Sequence, residues 1–598
     1  MGWRRRGNWW WAGLLIVLLV QMMGPGRHDL VGAKRSDMVY AQRADLTDPI
    51  ELRSQGQTLA LEGRCAEAIP LLTQALELYQ AANNDPTTSP LQRDSNQTSE
   101  VMIFTHLSSC HLRMGNYKAL LNSLSAGLET RRQLADQAYL TAEAQAGLNP
   151  LTDWLDTWRN RLASDTERIT ALDQSRDFFN QLMRVLAELG DLEGALVAAE
   201  KGRARAIADL LTAGLGDLPS ERVTIAQAPT LAEIRGIAQS QSATLVEYAI
   251  VGSETTEEAN LYSWVVKPKG DIELAIVPLA GAGKSLKTTI ERSRTALGER
   301  LRGGFELAEP QAPVQAEQLR ELYQLLIAPI QAWLPEYEED LIVFIPQDEL
   351  FLVPFPALLD RDNQPLIRHH TVSMAPSIQV LGLTKQRRSQ LTSQSPVTGD
   401  EVLLVGNPTL PEGLNLRPLP GAEEEVDEVA RLYPNAQPLK GSTATETIVK
   451  QRMATARLIH LATHGLLETV GDSEIPGAIA LAPDDQNDGL LTSAEILPLS
   501  LQAELVVLSA CDTGLGTLTG DGVVGLARSF FQAGGASVIV SLWAVPDAPT
   551  ARLMAEFYRQ LPQGQDKALA LRQAMLTMQQ SYPNPSDWAA FTLLGAAE

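Results

Sequence analysis

From about residue 244 onward, short β-branched apolar runs alternate with segments of helical periodicity. This alternation limits the fold more than any other feature of the chain. Candidate strands lie at 244–250, 261–266, 272–278, 340–345, 402–405, 458–462, 505–509 and 537–541. Helical patterns fall between several of them, at 316–333, 422–432, 522–533, 550–561 and 566–582. Strands buried on both faces and alternating with helices predict an α/β domain with a largely parallel sheet. In such a sheet, active-site residues collect at the carboxyl ends of the strands.

The preceding part of the chain has a different period. From about 46 to 215, Leu and Ala recur at helical spacing with few β-branched runs, which predicts an all-α region. One stretch, SQGQTLALEGRCAEAIPLLTQALEL, carries Gly56, Gly63, Ala68 and Ala75 at the offsets of a tetratricopeptide repeat, where small residues let two helices pack closely. Weaker copies turn at Gly115 and at Gly190, the latter with Ala195 in register with Ala68. The polar segment 83–98 reads as a loop, and Gly214 to Pro229 reads as a boundary. The expected division is a targeting segment at 1–41, helical repeats at 42–215, a linker at 216–240 and the α/β domain at 241–598. Repeat arrays present concave surfaces, so a regulatory protein partner is expected there, against the plainer reading of a helical scaffold.

Arg4, Arg5 and Arg6 precede an almost wholly apolar run at 9–23, the pattern of a signal peptide or a short anchor. Val39-Tyr40-Ala41 offers a cleavage site. The expected location is therefore extracytoplasmic, secreted or membrane-anchored. The net charge of −23, from 49 basic and 72 acidic residues, argues against nucleic acid, since no Lys/Arg patch lies beyond the first 43 residues. Three cysteines cannot build a disulfide framework. At most Cys65 pairs with Cys110, and both read more simply as buried thiols. No clustered Cys/His spacing suggests a metal. GAGKS at 281–285 lacks the first glycine of a phosphate-binding loop and reads as a turn.

Two strands end in reactive residues. LIHLATHG ends one with His464 and Gly465, and ELVVLSACDTGLG ends another with Cys511, 47 residues later. Either residue alone reads as packed and structural. Together, on one edge of a parallel sheet, they suit thiol chemistry. A thiolate is the nucleophile, and a neighbouring imidazole lowers the thiol pKa or takes its proton. The same imidazole can protonate the leaving amine. Backbone N–H groups of Gly465 and Cys511 can hold the oxyanion. His460, four residues before His464, reads as a structural position.

HLATHG followed by LSACDTGLG resembles the CHAT domain, a caspase-like domain found with tetratricopeptide repeats. FIPQDELFLVPFPALL, VLLVGNP, LPGAEEEV, GDGVVGLARSFFQAGGASVIVSLWAVPD, WAAFTLLG and the lead-in AEKGRARAIADLL are similar to that family too. The resemblance implies a caspase/hemoglobinase-like αβα fold, a dyad of His464 and Cys511, and no cofactor. It implies a cysteine endopeptidase acting on a protein or peptide. Ser509 stands where many arginine-specific relatives carry Asp. Asp547, in SLWAVPD, resembles an acidic pocket residue for a basic side chain, but it also suits a helix N-cap. Ser541 to Trp543 are expected to form a strand edge for an extended peptide. Two other readings stand beside the peptidase: a non-catalytic scaffold that keeps the fold, and an acyltransferase on the same dyad.

Overall fold

A computed structural model describes residues 48–130 and 179–212, each with short breaks, and 226–598 except 252–258, 280–285, 298–311, 392–395, 412–415, 467–476, 510–516, 520–521, 525, 544–545 and 562–565. The expected targeting segment, the turn at Gly115 and the GAGKS stretch lie outside these residues. Among the described residues no helix is long and apolar enough to cross a membrane.

The chain divides into two compact units, with Ala199–Glu598 in the second. The first contains α1 (Pro49–Leu61), α2 (Cys65–Asn84) and α3 (Pro90–Arg113). Asp48 caps α1 by accepting from the Ile50 N–H, and Gly63 turns the chain with φ of +80°. At Gly56 a methyl group would stand 2.7 Å from Cγ of Leu72, so only glycine allows α1 and α2 this close. Ala68 and Ala75 are fully buried on the facing side. The predicted repeat geometry is therefore present. Two expectations change. Cys65 and Cys110 form a disulfide, with Cα atoms 4.9 Å apart, inside the core rather than remaining thiols. The predicted 83–98 loop shrinks to 85–89, because Pro90 suits the first position of a helix, where its missing N–H costs nothing.

α4 (Leu192–Lys201) follows, and α5 (Leu231–Gln241) occupies the expected linker. Thr230 and Glu233 form a capping box that starts α5, which explains helix where composition suggested linker. Fixed structure of the second unit starts before residue 215. Glu200 accepts from the N–H groups of Ile378 and Gln379, and Arg203 donates to the Tyr248 carbonyl at 2.9 Å.

The remaining elements are β1 (Ala243–Val251), β2 (Asn260–Val266), β3 (Ile272–Pro278), α6 (Leu286–Leu297), α7 (Ala312–Leu326), β4 (Leu341–Ile345), β5 (Thr371–Met374), α8 (Ile378–Leu391), β6 (Val402–Pro408), α9 (Pro420–Ala430), β7 (Leu439–Gly441), α10 (Glu446–Met453), β8 (Leu458–Ala462), β9 (Gly465–Leu466), β10 (Ala478–Ala480), β11 (Leu490–Thr492), α11 (Ser493–Ile496), β12 (Leu505–Leu508), β13 (Thr517–Thr519), β14 (Gly522–Val524), α12 (Leu526–Gln532), β15 (Ser537–Ser541), α13 (Asp547–Gln560), α14 (Lys567–Gln579) and β16 (Phe591–Gly595). One sheet of eleven strands runs β3-β2-β1-β4-β5-β16-β15-β12-β8-β6-β7. Its neighbours pair parallel except β1–β2, β2–β3 and β15–β16. Two parallel blocks of opposite direction thus meet at the β15–β16 seam. The α/β fold with a mostly parallel sheet is the one expected. The predicted helix at 522–533 instead begins as β14, paired with β13 in a hairpin, and turns helical only at Leu526.

The core sits on the central strands. Every residue of β4, β5, β8, β12, β15 and β16 is buried. Each fully buried Leu, Ile or Val contributes about 1.5–3 kcal/mol relative to exposure.

Candidate active site

Strands β6, β8, β12 and β15 are parallel, so their carboxyl ends share one edge of the sheet. The β8–β12 register places Leu461 opposite Leu508, a difference of 508 − 461 = 47 residues. β8 ends at Ala462 and β12 at Leu508, so both strands finish on that edge. The same 47 residues separate His464 and Cys511 in the sequence. Cys511 itself lies outside the described residues.

His464 follows β8 by two residues and is half-buried. Its Nε2 is 2.7 Å from the carbonyl oxygen of Arg417, in the segment between β6 and α9. A carbonyl only accepts, so Nε2 carries a proton, and in the neutral ring the lone pair falls on Nδ1. The His464 carbonyl in turn accepts from the Ala480 N–H at 3.0 Å, and Thr463 Oγ1 donates to the Ala480 carbonyl at 2.7 Å. Residues 463 and 464 are thereby tied to β10.

Gly465 enters β9, opposite Ile479 of β10. Residues 464 and 480 are a hydrogen-bonded pair of this antiparallel ladder. The alternation makes 465 and 479 a non-hydrogen-bonded pair, so the Gly465 N–H points away from β10.

The other expected pocket residues fare differently. Ser509 is buried at the end of β12, and its Oγ has no hydrogen-bond partner among the described residues. Ser541 and Trp543 are 2 % and 0 % exposed, and Trp543 Nε1 donates to the Ser586 carbonyl at 3.0 Å. β15 is flanked by β12 on one side and β16 on the other, and the Leu542 N–H is taken by the Ala590 carbonyl. On the β16 side, Ser541 and Leu542 are therefore already paired. The final strand, absent from the predicted set, fills that edge.

Asp547 is exposed and is the first residue of α13, not its N-cap, which is Pro546. Its Oδ2 accepts from the Gly421 N–H at the start of α9, at 3.4 Å. The carboxylate therefore lies where two helices present their N-termini, favourable for a negative charge.

Arg294 of α6 was not anticipated. It is 4 % exposed, and its Nη2 donates to the Leu542 carbonyl at 3.2 Å, just past the end of β15. The sequence signal was hidden because 286–297 reads as a charged surface segment, whereas Ile290, Ser293, Arg294 and Leu297 share a buried face. Among the described residues no cluster of three or more His, Cys, Asp or Glu could hold a metal ion.

The site thus stands at the carboxyl edge of a mostly parallel α/β sheet, with a histidine just past one central strand and a cysteine following its neighbour in the sequence. Residues 316–596 match the model of the CHAT domain family. Tetratricopeptide repeat protein 28 of Homo sapiens is 27% identical over 594 residues, covering 76% of this chain and 23% of that protein. The Mus musculus protein of the same name is 27% identical over 596 residues, with 76% and 24% covered. The chain thus spans about a quarter of the length of these relatives. Among solved structures, the Saccharomyces cerevisiae separase–securin complex aligns over 98% of this chain and 48% of that chain, at 10% identity and a TM-score of 0.49. The Arg-specific cysteine proteinase gingipain R aligns over 51% and 73%, at 14% identity and a TM-score of 0.30.

Proposed function

We propose that the chain is a cysteine endopeptidase whose dyad is His464 and Cys511. The observation that carries this reading is the state of the His464 ring. Nε2 is engaged by the Arg417 carbonyl, which in the neutral ring leaves Nδ1 as the base, at the sheet edge where β8 and β12 both end. Cys511 follows Ser509 by two residues, a reach of at most about 7 Å. In the proposed reaction, Nδ1 takes the thiol proton and sulfur attacks the scissile carbonyl. The outward Gly465 N–H and the Cys511 N–H hold the oxyanion. The Nδ1 proton then passes to the leaving amine, and water releases the acyl group from sulfur.

Asp547 gives the site an exposed carboxylate and supports cleavage after Arg or Lys. The helical repeats are proposed to bind a regulatory protein. Export, with the 9–23 segment as signal or anchor, is supported by the buried Cys65–Cys110 disulfide, since such bonds persist in oxidising compartments.

The test is covalent labelling with a peptide carrying an electrophile and a basic terminal residue. Wild type should label at Cys511 and cleave the matching substrate, while Cys511→Ala and His464→Ala should do neither. A wild-type protein that never labels, with or without partners captured on its helical repeats, would favour the scaffold. Label transfer to an amine rather than to water would favour an acyltransferase. Preference for acidic or apolar peptides would remove Asp547 as the pocket acid.

A further inference from the structure

Two imidazoles, His460 within β8 and His464 two residues past its end, both meet the segment that leads into and forms α9. His464 Nε2 takes the Arg417 carbonyl, three residues before Pro420. His460, which is 0 % exposed, has Nε2 2.9 Å from Glu425 Oε1, within α9. Its Nδ1 is 3.2 Å from the Tyr558 hydroxyl of α13. Glu425 is 2 % exposed and Tyr558 is fully buried, with Tyr433 edge-on to the Tyr558 ring at 6.2 Å. The segment 417–425 is therefore held on β8 at two points. Between them, the Leu419 N–H donates to Asn407 Oδ1 at 2.7 Å, and Gly421 meets Asp547 at the start of α13.

A lone buried histidine serves as ordinary packing in many cores. This one has a carboxyl partner and a hydroxyl partner, both buried, on the two helices whose N-termini face the candidate site. We infer that His460 is a positioning residue: with Glu425 and Tyr558 it fixes α9 against β8 and α13, and so holds the Arg417 carbonyl where it orients the His464 ring. The inference rests on the reading of His464 and Cys511 as a dyad. If α9 slides, Nε2 of His464 loses its acceptor, and the ring is free to turn Nδ1 away from the thiol. His460 never touches substrate.

The experiment uses the thiol itself. With Cys65 and Cys110 paired under non-reducing conditions, Cys511 is the cysteine left to alkylate. The rate of alkylation by iodoacetamide is measured against pH for the full chain, with Cys511→Ala as the blank. Wild type should show a midpoint well below the ~8.5 of a free thiol. His460→Asn should move the midpoint up by about one unit, slowing alkylation by ~10-fold at pH values well below the wild-type midpoint. Tyr558→Phe, which removes one hydroxyl and keeps the ring, should slow it by at least ~3-fold in the same direction, the scale of one hydrogen bond. Thermal melts identify variants that fold. A folded His460→Asn with the wild-type midpoint overturns the inference. Should His460→Asn fail to fold, an unshifted Tyr558→Phe overturns it. A wild-type midpoint near 8.5 instead removes the dyad, an outcome distinct from both.

Discussion

Lys567 opens α14 with its side chain 5 % exposed, and its Nζ has no hydrogen-bond partner among the described residues. Burial pulls its pKa down to about 7, and Arg388 pushes the same way against Glu504, Asp566 and Glu598. Folding therefore favours the neutral amine. Between about 7 and the ordinary 10.5 the unfolded chain binds more protons, so stability should rise with pH over that window. Lys567→Met should raise Tm at pH 7 by a few degrees and flatten the rise, as thermal melts at several pH values would report. His370 behaves alike at lower pH. Burial, then the nearby charges of His369 and Arg572, bring it to about 4. Its neutral form is the one that fits, so its contribution is present above 6.5 and fades as pH falls from 6.5 toward 4. Gly421 sets a steric limit. A methyl there would stand 2.3 Å from Cβ of Asp547. Gly421→Ala should cost roughly 1–3 kcal/mol in denaturant unfolding. At this scale His464 was legible in the sequence, because a short apolar strand ending in His-Gly is a local signal. The contacts of Asp547 were not, since its partner Gly421 lies 126 residues away.

Elements were legible where the chain repeats a pattern over enough residues. Strands at 272–278, 458–462 and 537–541 coincide with their predicted bounds. The misses are short or central. β5 has four residues, TVSM, and β16 has five, FTLLG, too few to separate from loop by period. Polar composition misled at 90–98, where a proline begins a helix, and at 231–241, where a capping box does. The helical unit offers a test at this scale. Its disulfide joins residues 45 apart in sequence, and closing a loop of that length stabilises by about 4 kcal/mol in the chain-entropy account. Cys110→Ser, or added reductant, should lower the melting temperature of the helical unit while leaving the transition of the α/β unit in place. Calorimetry resolves the two.

For the whole molecule, β8 and β12 are parallel neighbours that end on one edge of the sheet, and that much was foreseeable from apolar strands alternating with helices. The opposite direction of the two sheet blocks was not foreseeable, because it depends on which strand lies at the seam. β16 pairs antiparallel with β15 and parallel with β5. Leu593 of β16 is fully buried opposite Ile539. Leu593→Ala should cost about 2–5 kcal/mol and lower both blocks together in one urea transition, whereas independent blocks would give two. The seam also has a consequence in time. Residues 591–595 fill the middle of a sheet whose other strands come from 243–541. Pairings this distant along the chain form slowly, because the loop between them must close first. A ribosome that has delivered everything up to β15 has released a sheet with two open inner edges, exposed until the last strand is translated. Any activity at the far ends of β8 and β12 therefore waits on the delivery of residues 591–595. This gives the growing polypeptide a built-in delay before it becomes competent.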